Sequence, residues 1–346
     1  MIKLGVLMKK CSVGGQAVME GVMMRTPTGG IALAVRRTDG AIETEFTRKA
    51  TRARKGSVLG WPVLRGIVTF VETLAIGMRI TTRSAELIGE ETVEEPSRLE
   101  KWLAEKTGKS AMDVAMAVAV VLAVALALGL FVFLPSLANQ LIPWAEDAPS
   151  IWKSLTEGGV RLLIFLIYIS AISLVKDIKR VYMYHGAEHK TLACYEHEAP
   201  LTPEEAMKYS RLHPRCGTNY LFLVMAIAIL FFALIPYQEN LLLRVLTRIV
   251  GLPVVAGLSY EVLKLAAASD RLWARIVRAP GMFLQYLTTR EPEQDMIEVA
   301  IAAFNLAIND GASPVAADQP EDGEARAEDA EDEALPADAS ETGETA

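Results

Sequence analysis

The chain has 346 residues, 51% of them apolar and only 7% aromatic, and its mean hydropathy is positive. That balance excludes an ordinary soluble domain of this length and puts a membrane class first. The formal net charge of −7 hides two opposed parts: residues 311–346 hold twelve Asp or Glu against the single basic Arg326, a charge of −11, so residues 1–310 carry +4.

In chain order, Met1–Met8 is short and mixed and runs into Lys9, Lys10 and a Gly-rich stretch, which fits no cleavable signal. The glycines of Gly14–Arg25 suggest a tight backbone path or a close approach to another element. Within that stretch Glu20 and Arg25 are candidates to line a site, although a structural turn packed on the membrane domain explains them equally well. Ile31–Arg37 and Ala41–Thr47 are strand-like runs around Thr38-Asp39-Gly40, where Asp-Gly signals a tight hairpin. Residues 1–60 therefore read as an N-terminal cytoplasmic region with a β-hairpin. The basic run Arg48–Lys55 suits anionic lipid headgroups better than nucleic acid, because several spans follow it. Residues 61–110 come next. Trp61–Ile80 is apolar but interrupted by Arg65, Glu72 and Arg79, the pattern of an interfacial or re-entrant helix, and a linker follows.

Residues 111–290 read as the membrane domain. Val114–Leu134 is uninterrupted and ends at Pro135, long enough to cross about 30 Å of hydrocarbon. Leu162–Val175 is shorter, flanked by Arg161 and Lys176, whose stems can snorkel. Tyr220–Pro236 makes a third span, and Ile249–Ala268, which contains Glu261 and Lys264, a fourth. Lysines and arginines crowd the segment before Val114, the stretch Lys176–Asn219 and the segment after the fourth span, whereas Pro135–Gly159 holds only Lys153. One topology satisfies this distribution: about four crossings, both termini cytoplasmic, the long third stretch inside.

That inner stretch, a His-rich loop over 177–219, holds all four histidines: His185, His189, His197 and His213. Its core, His185-Gly186-Ala187-Glu188-His189, is an H-x-x-E-H string. Residues four apart share a helix face, so both imidazoles can converge on one divalent transition metal, zinc first. Glu188 is then placed to take a proton from a water activated there, as in the inverzincin pattern. Third-ligand candidates are Glu261, His213 and Cys216, leaving a fourth position open. Glu261 also counts because an intramembrane carboxylate needs a partner or a polar cavity, and Lys264 on the same helix face is one such partner. The blander readings are histidines bonded to lipid phosphates or carbonyls, and a closed structural site of His185, His189, His213 and Cys216. Three cysteines form no even framework, which suggests reduced thiols or one thiolate ligand, with Cys11 and Cys194 as bystanders. Ile297–Ile308, within 291–310, reads as a short amphipathic helix. Residues 311–346 are too polar to offset the entropy of ordering and read as a disordered acidic tail.

Four strings stand out: GGQAVMEGVMMR at Gly14–Arg25, HGAEHK at His185–Lys190, HPRCGTNYLF at His213–Phe222 and TTREP at Thr288–Pro292. Together they resemble the YqhQ-like family of bacterial membrane proteins, described as predicted metal-dependent enzymes of unknown substrate. The resemblance runs from about Cys11 to about Asn309 and omits the tail. It implies a membrane protein with a metal site and points to His185, Glu188, His189, His213 and Cys216, and to Glu20 and Arg25.

The residues thus lead to a mainly α, polytopic bacterial inner-membrane protein. The first functional expectation is a metal-dependent hydrolase facing the cytoplasm, acting on a peptide by motif analogy or on a lipid-linked ester or amide. The second is a non-enzymatic scaffold or assembly factor with a structural His/Cys site. Metal transport ranks last, because Glu261 alone is a strong intramembrane ligand. Partners are the bilayer and a membrane-protein or lipid-linked substrate, without nucleic acid.

Overall fold

The structure, a computed structural model, describes residues 13–309 apart from 54–55, 90–101, 103–105, 107–110, 143–147, 215 and 270. The acidic tail, Cys11 and most of the linker before 111 lie outside the described residues.

The N-terminal region is a four-stranded antiparallel sheet in the order β1-β2-β3-β4, built from Gly14–Val18, Gly21–Arg25, Gly30–Arg36 and Ile42–Arg48. The expected hairpin is its second half: β3 and β4 pair from Gly30↔Arg48 to Arg36↔Ile42. Gly40 turns the chain at φ +89° and Asp39 Oδ1 accepts from the Ala41 N–H at 3.0 Å. The glycine-rich stretch, read as a turn, forms the other two strands, joined through Glu20 at φ +49°.

Side chains alternate across a strand, and here both faces are covered. Val22, Met24, Ala32 and Ala34 pack into one core with Tyr184, Met296, Ile297 and Phe304. Val18, Met23, Ile31, Leu33 and Val35 form a second core with Ile76, Ile80, Leu87 and Ile88 of α1, Leu64–Ile88. The helix expected to be amphipathic over Ile297–Ile308 is α10, Gln294–Ile308, and it is buried on most of its circumference. It packs against both the sheet and the histidine helix, and a narrow stripe through Glu298, Ala302 and Asn305 stays less buried.

Three helices are long and apolar enough to cross a membrane among the described residues: 117–140, 150–172 and 241–267. The first is continuous through α2 (Ala111–Leu128), a π-helical turn at Gly129–Phe133 and α3 (Leu134–Gln140). The sequence places its end at Pro135, yet the helix continues. Proline has no N–H to offer the carbonyl four residues back, and that carbonyl, on Phe131, accepts from Arg161 Nε instead at 2.7 Å. The second is α4, Ser150–Ile172, which begins twelve residues before the expected Leu162. Glu157 and Arg161, assigned to a loop and a flank, are buried inside it. The third expected span is α7, Thr218–Ala233, an apolar helix of only 16 residues that falls short of the three. The fourth is α8, Leu241–Ala267, started by Asn240, whose side chain accepts from the Leu243 N–H at 3.0 Å.

The His-rich segment is not mainly loop. It is α5, Lys176–Glu196, followed by a short α6, Pro203–Ala206. An amphipathic α9, Leu272–Thr288, returns the chain from α8 towards α5; the sequence reading saw only its arginines.

If α10 is a core element, Phe304→Ala should destabilise the protein by about 3–5 kcal/mol, the usual cost of an aromatic cavity. The equivalent change at exposed Phe283 (68% exposed) should be close to silent. Thermal unfolding of the two variants in detergent checks this.

Candidate functional site

The central stretch of α5, from Gly186 to Cys194, is buried without a break. Gly186 explains part of that: a Cβ there would lie 2.1 Å from the Arg290 carbonyl oxygen. The backbone of Arg290 crosses α5 at that point, and its N–H donates to the Tyr182 carbonyl at 2.8 Å. The glycine of HGAEHK thus makes room for the arginine of TTREP.

The two imidazoles of α5 are fixed by carbonyls from different segments. His185 Nδ1 lies 2.9 Å from the Thr288 carbonyl and His189 Nδ1 lies 2.6 Å from the Arg211 carbonyl. A carbonyl only accepts, so each Nδ1 carries the proton and each Nε2 presents its lone pair. His185 Nε2 is 3.2 Å from Cys216 Sγ, and the buried His189 Nε2 has no hydrogen-bond partner among the described residues. One ligand atom each from His185, His189 and Cys216 lies within 4.8 Å of the other two. Burial pushes the His189 imidazole pKa down, opposed chiefly by Cys216, which keeps the ring neutral and its lone pair available.

Cys216 sits just before α7. The Thr218 N–H donates to its sulfur at 3.3 Å, and the Thr218 hydroxyl is 2.6 Å away. The surrounding loop is held by Gln285 of α9, which accepts from the His213 N–H at 2.8 Å and donates to the His213 carbonyl at 2.9 Å. Arg211 donates to the Thr289 carbonyl at 2.7 Å, and Lys190 donates to the Met207 and Tyr209 carbonyls at 2.9 and 2.7 Å. These bonds fasten the 207–216 segment to α5 and α9.

Glu188 follows His185 by three positions and is 4% exposed. Desolvation raises its pKa above the ordinary carboxylate value, opposed by His185, His213 and the Gly15 N–H. Its Oε2 has no partner among the described residues. A Cβ on Gly15 would fall 2.6 Å from Glu188 Cδ and Oε1, so any side chain there would have to displace the buried carboxylate.

The other sequence candidates lie outside the three-residue group. His213 Nε2 is 3.2 Å from Glu196 Oε2, and its ring is 5.7 Å from that of His189. It backs the group without joining it. Glu261 is held by Arg65, whose Nε donates at 2.7 Å in a two-bond pair, and by the Val63 N–H at 3.3 Å. Arg65, rather than Lys264, is its described partner. Glu20 pairs with Arg180 and accepts from the Tyr184 hydroxyl at 3.2 Å, so it fastens the β1–β2 turn to α5. Arg25 ends β2 opposite Gly14, and no described contact joins it to the group. His197 bonds the Ala193 carbonyl at 2.7 Å, and Cys194 is buried beside the Pro200 carbonyl. Sequence reasoning missed the Thr288 and Arg211 carbonyls, Thr218, Gly15 and Gln285 as positioning groups. The TTREP, GGQ and HPRCGTNYLF strings contain three of them, Thr288, Gly15 and Thr218; nothing marked Gln285.

The family model described as "Protein of unknown function (DUF1385)" matches residues 61–310. The uncharacterised protein YqhQ of Bacillus subtilis (strain 168) is 36% identical over 303 residues, covering 84% of this chain and 91% of the relative. No solved structure matches. Neither description assigns an activity or a metal.

Gly15→Ala should destabilise the protein by about 1–3 kcal/mol, the cost of overpacking. Gly14→Ala, where a Cβ meets nothing within 4 Å, should stay within about 0.5 kcal/mol. Paired thermal melts distinguish the two positions.

Proposed function

The chain belongs to the DUF1385 family, and we propose that it is a membrane-embedded, metal-dependent hydrolase whose site is His185, His189 and Cys216 with Glu188 beside them. The carrying observation is the pair of pinned imidazoles. Each donates its Nδ1–H to a backbone carbonyl and turns Nε2 towards one cysteine sulfur. Metal-binding histidines are characteristically oriented in this way by their outer nitrogen. An unpartnered, buried Nε2 on His189 also fits a ligand atom better than a structural hydrogen bond, since buried polar groups are normally satisfied.

Two nitrogens and one sulfur suit zinc among divalent transition metals, and a bound ion would supply Lewis acidity and lower the pKa of a water. The chain's own groups have separate tasks. His185 and His189 would hold the ion through Nε2, and Cys216 would hold it as thiolate, with the Thr218 N–H donating to the sulfur. Glu188 moves the proton: its buried carboxyl has a free Oε2 and a raised pKa, both suited to general acid–base work. His185 and Cys216 are half-buried, so the site is approached from their side, whereas His189 and Glu188 form its floor. The lysines and arginines that flank the apolar helices support a cytoplasm-facing site by the positive-inside rule. The substrate is a bond at the membrane surface, in a peptide or a lipid-linked ester or amide. The same ligand set would also serve a closed structural site in a scaffold protein, a reading favoured by the near-complete burial of His189 and Glu188.

Metal content of the detergent-purified protein and the Glu188→Gln variant decide between them. Near-stoichiometric zinc that disappears in His185→Ala/His189→Ala supports the site. Glu188→Gln should keep the zinc but abolish complementation of a deletion strain, with a loss of roughly 10²–10⁴-fold in any assayed hydrolysis. Zinc retained with full complementation in Glu188→Gln would leave the structural reading instead.

A further inference from the structure

The membrane helices contain a second polar cluster that the hydrolase reading does not use, and the inference drawn from it does not rest on that reading. Glu157 and Arg161 of α4 and Arg244 and Arg248 of α8 are 0%, 6%, 1% and 2% exposed. Glu157 Oε1 accepts from Arg161 Nη2 at 2.8 Å and from Arg248 Nε at 3.0 Å. Arg244 Nε stands 3.8 Å from Glu157 Oε2, beyond hydrogen-bond reach, and neither atom has a hydrogen-bond partner among the described residues. The buried Ser136 and Ser154 hydroxyls are also unpartnered.

Three guanidinium groups therefore surround one carboxylate, leaving two positive charges in excess. Arginine does not shed its proton in proteins, and buried charge without a counter-ion carries a large desolvation cost. Several contacts soften this without removing charge. Arg161 donates to the Phe131 carbonyl at 2.7 Å, and Arg244 donates to the Ser136 carbonyl at 3.1 Å and to the Tyr237 hydroxyl. The Arg244 and Arg248 guanidiniums also lie over the rings of Tyr237 and Phe232, at 4.5 and 4.4 Å. No second carboxylate among the described residues reaches them.

Position narrows the missing anion. α8 begins at Leu241, so Arg244 and Arg248 lie roughly 5–10 Å inside that helix end at 1.5 Å per residue. The same count along α4 from Glu157 to its far end at Ile172 gives roughly 20 Å, and α5 with its histidines follows there. The cluster is thus at the opposite end of the bundle from the His/Cys group, near the depth at which lipid phosphates meet acyl chains. A guanidinium fork matches phosphate oxygens in pairs, and a phosphate dianion matches an excess of two charges. We propose that Arg161, Arg244 and Arg248 bind a phosphate group, carried by a lipid or free, in the membrane domain.

The test uses the full chain, purified in detergent, stripped of lipid and held at constant ionic strength with chloride. Its unfolding midpoint is followed against inorganic phosphate, and separately against dioleoyl phosphatidic acid with dioleoylglycerol as the phosphate-free control. A saturable rise with inorganic phosphate identifies the free anion; a rise with phosphatidic acid alone identifies a lipid phosphate. Arg248→Gln should weaken the response by roughly tenfold, the value of one charged hydrogen bond. Glu157→Gln removes the competing carboxylate, so it should tighten the response several-fold. No rise with either phosphate probe in the wild-type chain overturns the proposal, even if Arg248→Gln fails to fold. A response that Glu157→Gln leaves unchanged or weakens overturns it as well.

Discussion

Two hydrogen bonds set the geometry on which the rest of this structure depends: the Nδ1 groups of His185 and His189 on the carbonyls of Thr288 and Arg211. Each carbonyl belongs to a segment distant in sequence, and each is itself held. Thr288 ends α9, and Arg211 bonds Thr289 through its own guanidinium. The histidines therefore cannot turn unless α9 and the 207–216 segment move with them. In the same way Gly186 admits the Arg290 backbone and Gly15 admits β1 against Glu188. β2 and β3 pack between α1 and α10, and α10 packs on α5. The sheet and the long apolar helix α8 meet at α1, which packs on both β3 and α8.

The two polar clusters differ in how their charges are satisfied. At α5 the groups are neutral imidazoles, a sulfur and one buried carboxyl, an arrangement suited to receiving a cation. Between α4 and α8 the groups are guanidiniums in excess, suited to receiving an anion. The Phe131 carbonyl ties the second cluster to the first apolar helix, because this acceptor for Arg161 is the oxygen that Pro135 cannot engage. A proline that looks like a helix stop in the sequence is, in three dimensions, what frees a buried acceptor.

Much of the candidate His/His/Cys group was legible because its geometry is local. The i, i+4 spacing of His185 and His189 fixes a shared helix face whatever surrounds it, and Glu188 comes with them. Cys216 was one of three third-ligand choices, since only tertiary folding separates it from His213, which turns to Glu196, and from Glu261, which turns to Arg65. The fold was legible where hydropathy is extreme, as in Val114–Leu134, and at Asp39-Gly40, where a turn needs glycine at positive φ. It was illegible where charge is buried. Glu157 and Arg161 made the start of α4 look like a loop, because a window of sequence cannot show that Arg244 and Arg248 stand opposite them. The helix α10 was legible over Ile297–Ile308, but not how much of it the sheet and α5 cover: only a stripe near Asp295 and Glu298 stays exposed.

X-ray absorption at the zinc edge of the reconstituted, full-length protein tests the central claim most directly. A shell containing two imidazole nitrogens and one sulfur, with the sulfur lost in Cys216→Ser, is the predicted result. A shell without sulfur, or one unchanged by that substitution, would contradict the site as assigned.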